Sequence, residues 1–191
     1  MMRIRSELMK KWRELLDPCG LARNQDGIAA VEFSLVVPIA VVLLIGGVDY
    51  SDAISIQRKI TLADRTVTDL VTQYTNIDTA TLALNLAASA SIVAPYSSAN
   101  LVMTVSEVTT DASGLATVKW SQSYNGTKRA INSTLTLPLA SIQPNATLIF
   151  GEAKYTDNPA IGYAMTGTIN LHDSSVMSPR LVTLILCSDC T

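Results

Sequence analysis

From Ile28 to Val48 the chain reads IAAVEFSLVVPIAVVLLIGGV, an apolar run in which Glu32 is the single charge. As a helix rising about 1.5 Å per residue, this run spans roughly 31 Å, close to the hydrocarbon thickness of a bilayer. Pro38 inside it removes a backbone donor and favours a kink, and Gly46-Gly47 add a second soft point near its far end. After Val48 the texture becomes amphipathic. Ile56, Ile60, Ala63, Val67, Leu70 and Tyr74 recur at alternating helical spacings, with Asp52, Lys59, Asp69 and Gln73 off that stripe. The pattern predicts a helix that runs on from the apolar segment for roughly 45 residues, or about 70 Å, its inner half suited to lipid and its outer half to covering a globular domain.

A second helix is predicted over Thr79–Ala94, stopped by Pro95. From Leu101 the period changes to two. Leu101, Met103 and Val105 alternate with Val102, Thr104 and Ser106; after a turn at Thr110–Gly114, Ala116, Val118 and Trp120 alternate with Thr117, Lys119 and Ser121. That is the signature of an antiparallel hairpin. Further strands are expected at Ala146–Tyr155 and Leu181–Cys187, and the stretch from Asp157 to Pro179 reads as loop. The expected fold class is α+β, one long helix on a small antiparallel sheet. The expected organisation is a leader over 1–27, a membrane helix over 28–48 and an outer domain over 49–191.

Charge orients this arrangement. Arg3, Arg5, Lys10, Lys11, Arg13 and Arg23 precede Gly27, whereas Asp49 and Asp52 follow the apolar run with no base before Arg58. The positive-inside rule then puts the N-terminus in the cytoplasm and the C-terminal domain outside. A cleaved secretory signal is the weaker reading, because its apolar region is shorter, starts earlier and ends in a small-x-small site. The leader's polar segment SELMKKWRELL is helix-compatible and is broken by Pro18 and Gly20. Formal net charge is −2 and aromatics are 5% of the chain, which gives little material for nucleic-acid binding or for a stacking platform.

The most specific constellation is Gly27-Ile28-Ala29-Ala30-Val31-Glu32-Phe33: a glycine closing a charged leader, then an apolar helix whose fifth residue is glutamate and sixth is aromatic. It resembles the processing site of type IV pilins in the form used by the Flp (Tad) branch. The longer string from Asp26 to Ala53 is similar to the N-terminal segment of TadE-like minor pilins, or pseudopilins, of bacteria. Tyr155-Thr156 with Pro159, and Ser178-Pro179-Arg180 followed by Cys187, lend shorter support. The resemblance implies a pilin-like fold, a chain held in the inner membrane with its outer domain in the periplasm, and cleavage between Gly27 and Ile28 by a prepilin peptidase. It also implies partners: the major Flp-type pilin, other minor pilins, the peptidase and the inner-membrane assembly platform. Neither a cofactor nor a small-molecule substrate is implied. The major pilin of this branch is a far shorter chain, so the outer domain argues for a minor subunit.

The physics fits. A small residue at Gly27 lets a membrane-embedded protease reach the backbone, and the cut exposes the α-amine of Ile28. A carboxylate in a lipid-facing helix costs roughly a few kcal/mol, less near the interface, and marks a functional site by default. For Glu32 the resemblance implies a partner in the free amine of a neighbouring subunit. Such a pair sets the axial stagger of packed helices, a registry role for buried polar groups. Phe33 and the aliphatic residues supply cohesion. The plain alternative makes Glu32 an interfacial residue of an uncleaved single-pass anchor that displays a binding domain.

Cys187 and Cys190 form a CSDC pair, read either as a local structural disulfide or as free thiols. A thiol–disulfide enzyme is a third reading, weakened because the pair lacks a helix N-terminus within a βαβ context. Cys19, in the leader, lies on the other side of the membrane. His172, the only histidine, lacks further metal ligands at sensible spacing and reads as a surface-loop residue. No phosphate-binding glycine loop, catalytic triad or paired-carboxylate site stands out, so no catalytic residue and no metal ligand is assigned. Asn125, Asn132 and Asn145 each open an Asn-x-Thr/Ser triplet that sheet-surface chemistry explains.

Overall fold

A computed structural model describes residues 27–138, 143–159 and 167–190. The leader with its helix-compatible segment and Cys19 therefore lie outside the described residues. The contacts divide the chain into two units, the second being Val48–Thr191. The long helix, α1, is Ile28–Thr72 and continues through Pro38 and through Gly46-Gly47. Its N-terminal part leaves its side chains uncovered: Phe33 is 70% exposed and Leu43 70%.

In the second unit, α1 turns a stripe of Ala53, Ile56, Ile60, Ala63, Val67 and Val71 inward. Leu70, expected on that stripe, is 38% exposed; Val71 takes its place, because 3.6 residues per turn carries the stripe one position on. A two-residue strand β1 (Asn76–Ile77) leads to α2, Thr79–Val93, whose N-cap Asp78 accepts a 2.7 Å hydrogen bond from the Thr81 amide. A short 3₁₀ turn, Ser98–Asn100, then delivers the chain to the sheet.

The sheet has five antiparallel strands: β2 (Leu101–Thr110), β3 (Ala116–Tyr124), β4 (Thr134–Leu135), β5 (Thr147–Asp157) and β6 (Ile169–Met177). Their spatial order is β4-β3-β2-β5-β6. One face carries Leu101, Met103, Val105, Ile149, Ala153 and Tyr155, and both helices pack on it through Ile56, Ile60, Val67, Val71, Leu82, Leu86 and Val93. On the other face a smaller core of Val108, Ala116, Val118, Leu148 and Phe150 is closed by Leu135 and Leu137. The fold is α+β, as the alternation of periods predicts.

Three expectations are corrected. Trp120 does not share a face with Ala116 and Val118. A register shift leaves Glu107 opposite Trp120 and Val108 opposite Val118, so Lys119 is the extra residue of a β-bulge. The bulge turns Trp120 toward the helices and the other two away. The stretch from Asp157 to Pro179 contains the nine-residue strand β6, with His172 on it rather than on a loop. An edge strand needs no apolar face, which is why its polar sequence hid it. Leu181–Cys187, by contrast, is mostly not strand; only β7 (Leu186–Cys187) pairs, in parallel with β1.

Turn chemistry accounts for the three asparagines. Asn125, Asn132 and Asn145 all have φ between 52° and 62°, a left-handed conformation that asparagine tolerates best among non-glycine residues. In the β2–β3 turn, Asp111 accepts from the Ser113 and Leu115 amides, and Gly114 takes φ 83°.

Candidate functional site

At the start of α1, Gly27 lies one residue outside the helix, and its carbonyl accepts the first helical hydrogen bond, from the Val31 amide at 3.1 Å. Gly27 is exposed and Ile28 is 51% exposed, so the peptide bond between them is open to approach. Glu32 lies one helical turn beyond Ile28, and the two share a face. Glu32 is exposed and forms no hydrogen bond or ion pair among the described residues. Phe33, next along the chain, projects about 100° away. The helix thus presents one carboxylate at the head of an apolar surface, and within the described residues nothing neutralises it.

One 18-residue window of α1 has a mean hydropathy of 2.7 and none of it is buried. A helix that hydrophobic and that uncovered fits a single-pass membrane anchor.

In the second unit the C-terminal segment is strapped to the sheet by side chains. The Ile185 amide donates to Glu107 Oε1 at 2.7 Å, and the Trp120 indole N–H donates to the Ile185 carbonyl at 3.1 Å. Ile185 is 1% exposed, so both of its backbone groups are satisfied without strand pairing. Cys187 and Cys190 are joined in a disulfide. Between them, Asp189 accepts from the Thr79 amide at 3.0 Å and from the Thr79 hydroxyl at 2.7 Å, completing the N-terminal cap of α2. At the other end of the strap, the Arg180 amide donates to the Thr72 carbonyl at 2.9 Å and its guanidinium pairs with Asp69, covering the C-terminus of α1.

Two buried carboxylates have no counterpart in the sequence reading. Asp64 is fully buried against the sheet, and neither of its oxygens finds a hydrogen bond. Burial raises its pKa from 3.8 to about 6, and the nearby Asp173 and Glu152 carboxylates push the same way. It faces Gly151, where an added Cβ would lie 2.5 Å from Asp64 Oδ1 and would overlap the Thr68 hydroxyl. Burial likewise lifts Glu107 from 4.5 to about 7, against the lowering effect of the Ile185 amide. Parity offered a signal for both. Asp64 lies four residues after Ile60, on the inward stripe, and Glu107 continues the inward series Leu101, Met103, Val105.

These features define a class: an apolar helix that fits a single-pass membrane anchor, followed by a disulfide-closed α+β unit. Residues 27–66 match the family model described as TadE-like protein, so the resemblance read from Asp26–Ala53 holds in the comparison as well. The match lies within Gly27 and α1 and leaves the sheet outside it. The match covers 40 of the chain's 191 residues. No curated protein and no solved structure matches the chain.

Proposed function

We propose that the protein is a minor pilin-like component of Tad pilus assembly, made as a prepilin and cut between Gly27 and Ile28. The observation that carries this reading is the TadE-like match beginning at Gly27, with Glu32 exposed one turn into an uncovered apolar helix. On this reading residues 1–27 are the cytoplasmic leader, 28–48 span the inner membrane and 49–191 form the periplasmic domain. Cleavage turns the Ile28 nitrogen into a free ammonium. A packed neighbour's ammonium then neutralises Glu32 in a medium where an unpaired charge is unfavourable by several kcal/mol. The apolar surface around Phe33 packs against other pilin helices and holds the subunit in place. The major Flp-type pilin, other minor pilins, the peptidase and the assembly platform are the partners this requires.

The test has two parts. Mass spectrometry of the protein recovered from native membranes should find a mature chain beginning at Ile28. Replacing Glu32 with alanine should reduce piliation while leaving membrane insertion and protein level unchanged. An intact leader together with normal piliation in Glu32→Ala would overturn the proposal in favour of an uncleaved anchor that displays a binding domain.

A further inference from the structure

Between the sheet and the loop that follows β3 lies a cavity of about 260 Å³, lined by Thr104 of β2, by Thr127, Lys128 and Arg129 of the loop, and by Glu152 and Lys154 of β5. Glu152 and Lys154 share the face of Phe150 by the two-residue period of β5, so the cavity opens on the side of the sheet turned away from the helices. The loop wall is pinned at both ends. The Asn125 side-chain amide donates to the Ser98 and Leu101 carbonyls at 3.0 and 3.2 Å, and Gly126 comes so close to the sheet that an added Cβ would lie 2.6 Å from Val102 Cγ1. Further on, the Arg129 amide donates to the Ser121 hydroxyl at 3.1 Å, and its guanidinium pairs with Glu152 and lies 5.8 Å over the Phe150 ring. Three basic residues face one carboxylate, so the lining carries an excess of two positive charges. Arg129 already neutralises Glu152. Lys154 is exposed and has no hydrogen bond or ion pair among the described residues, and its cross-strand neighbours, Val102 and His172, bring no carboxylate to it. A fixed concavity with surplus charge of one sign concentrates ions of the other.

We propose that this cavity binds a phosphate monoester, whose phosphoryl head is held by Lys154 and Lys128 beside the Arg129–Glu152 pair. A phosphate monoester carries about two negative charges at pH 7.5, which matches the surplus of the lining. A carboxylate would leave one positive charge unmatched. The planar guanidinium fork that recognises carboxylates best is also already engaged, by Glu152. Lysine ammonium groups are compact charges with rotatable donors, and they suit the tetrahedral array of phosphoryl oxygens. Thr127 in the same lining adds a neutral hydroxyl. The group recognised is the phosphoryl head, whether a soluble ester or a lipid headgroup presents it. This site is independent of the pilus reading.

The experiment uses the full-length protein in detergent, dialysed free of phosphate and titrated calorimetrically with glycerol 3-phosphate at pH 7.5. One molecule per chain should bind, with a dissociation constant at or below about 1 mM. Sulfate, also a tetrahedral dianion, should compete, and acetate at the same ionic strength should not. Lys154→Gln should weaken binding by at least about tenfold. Lys119→Gln, which removes an exposed lysine outside the lining, should leave it unchanged. No saturable uptake by the parent up to about 20 mM glycerol 3-phosphate would overturn the site. So would an equal loss in the Lys154 and Lys119 variants, which is the mark of net charge alone. Acetate competing as well as sulfate would overturn the ligand class. If Lys154→Gln loses its circular dichroism spectrum, Lys128→Gln, on the exposed loop, takes its place under the same criteria. Repeating the titration in lipid nanodiscs with and without phosphatidate separates the two sources. Loss of glycerol 3-phosphate binding in the phosphatidate discs alone assigns the cavity to a headgroup, and unchanged binding assigns it to a soluble ester.

Discussion

Replacing Asp64 with asparagine isolates what a fully buried, unbonded carboxylate does to this fold. The side chain lies between α1 and β5 at 0% exposure, with neither oxygen hydrogen-bonded. Its pKa, raised from 3.8 to about 6, means that the folded state holds the proton more tightly than the unfolded chain does. Below about pH 4 the group is protonated in both states and has no effect. As pH climbs from 4 to 6 the unfolded chain gives up the proton first, so native stability falls; above 6 the whole penalty is present. A rise from 3.8 to about 6, at about 1.4 kcal/mol per pH unit, amounts to about 3 kcal/mol.

Asparagine keeps the shape and cannot ionise, in a site where the Thr68 and Ser175 hydroxyls, 3.1 Å apart, stand with Asp64 around Gly151. Asp64→Asn should therefore be the more stable protein at pH 7.5, by up to about 3 kcal/mol, and should match the parent near pH 4. Glu107, raised to about 7, adds its own decline above pH 4.5 to both proteins and cancels in the difference. The assay is denaturant unfolding of full-length protein in detergent, followed by circular dichroism at half-unit steps from pH 4 to 8. A stability difference that stays flat across that range, or a variant weaker than the parent at pH 7.5, would refute the argument that desolvation governs Asp64.

Two further outcomes can be measured on the same preparations. Glu107→Ala leaves the buried Ile185 amide without an acceptor and should lower stability by about 1–3 kcal/mol, with protease cleavage appearing in the strap 178–187; Glu107→Gln, which keeps an acceptor oxygen, should recover most of the loss. Cys187→Ser/Cys190→Ser opens a short loop whose closure contributes about 2 kcal/mol on chain-entropy grounds, so a matching drop should follow treatment of the parent with reductant, and the serine variant should not respond to reductant.

Periodicity carried most of the architecture. A helix through Pro38 and Gly46-Gly47, the stripe from Ile56 to Val67 and the β2–β3 hairpin are local consequences of which positions are apolar, and local pattern is what a sequence displays. The anchor segment was legible for the same reason, since an uninterrupted apolar run has few other uses. Gly27, Ile28, Glu32 and Phe33 were read as a motif of fixed spacing, and the family match begins at the first of them.

Interactions between distant segments were not legible. The Lys119 bulge depends on how β3 registers on β2, so no alternation count along β3 would reveal that Trp120 and Val118 face opposite ways. β6 owes its existence to the exposed edge of β5, not to an apolar face of its own. Leu181–Ile185 carries the composition of a strand, yet Glu107 and Trp120 capture the Ile185 backbone before any strand can. Nor could sequence spacing bring Asp49 and Asp52, at the start of the amphipathic helix, to the same cavity as Asp157 at the end of β5. The sequence by itself determined which segments are helix and hairpin and which helix is apolar and long enough to cross a membrane, because hydrophobic period and length are properties of neighbours along the chain. Only the tertiary structure decided which carboxylates are buried, which of them stand unpaired and which share a cavity, because burial and charge repulsion are set by residues that meet only when the chain has folded.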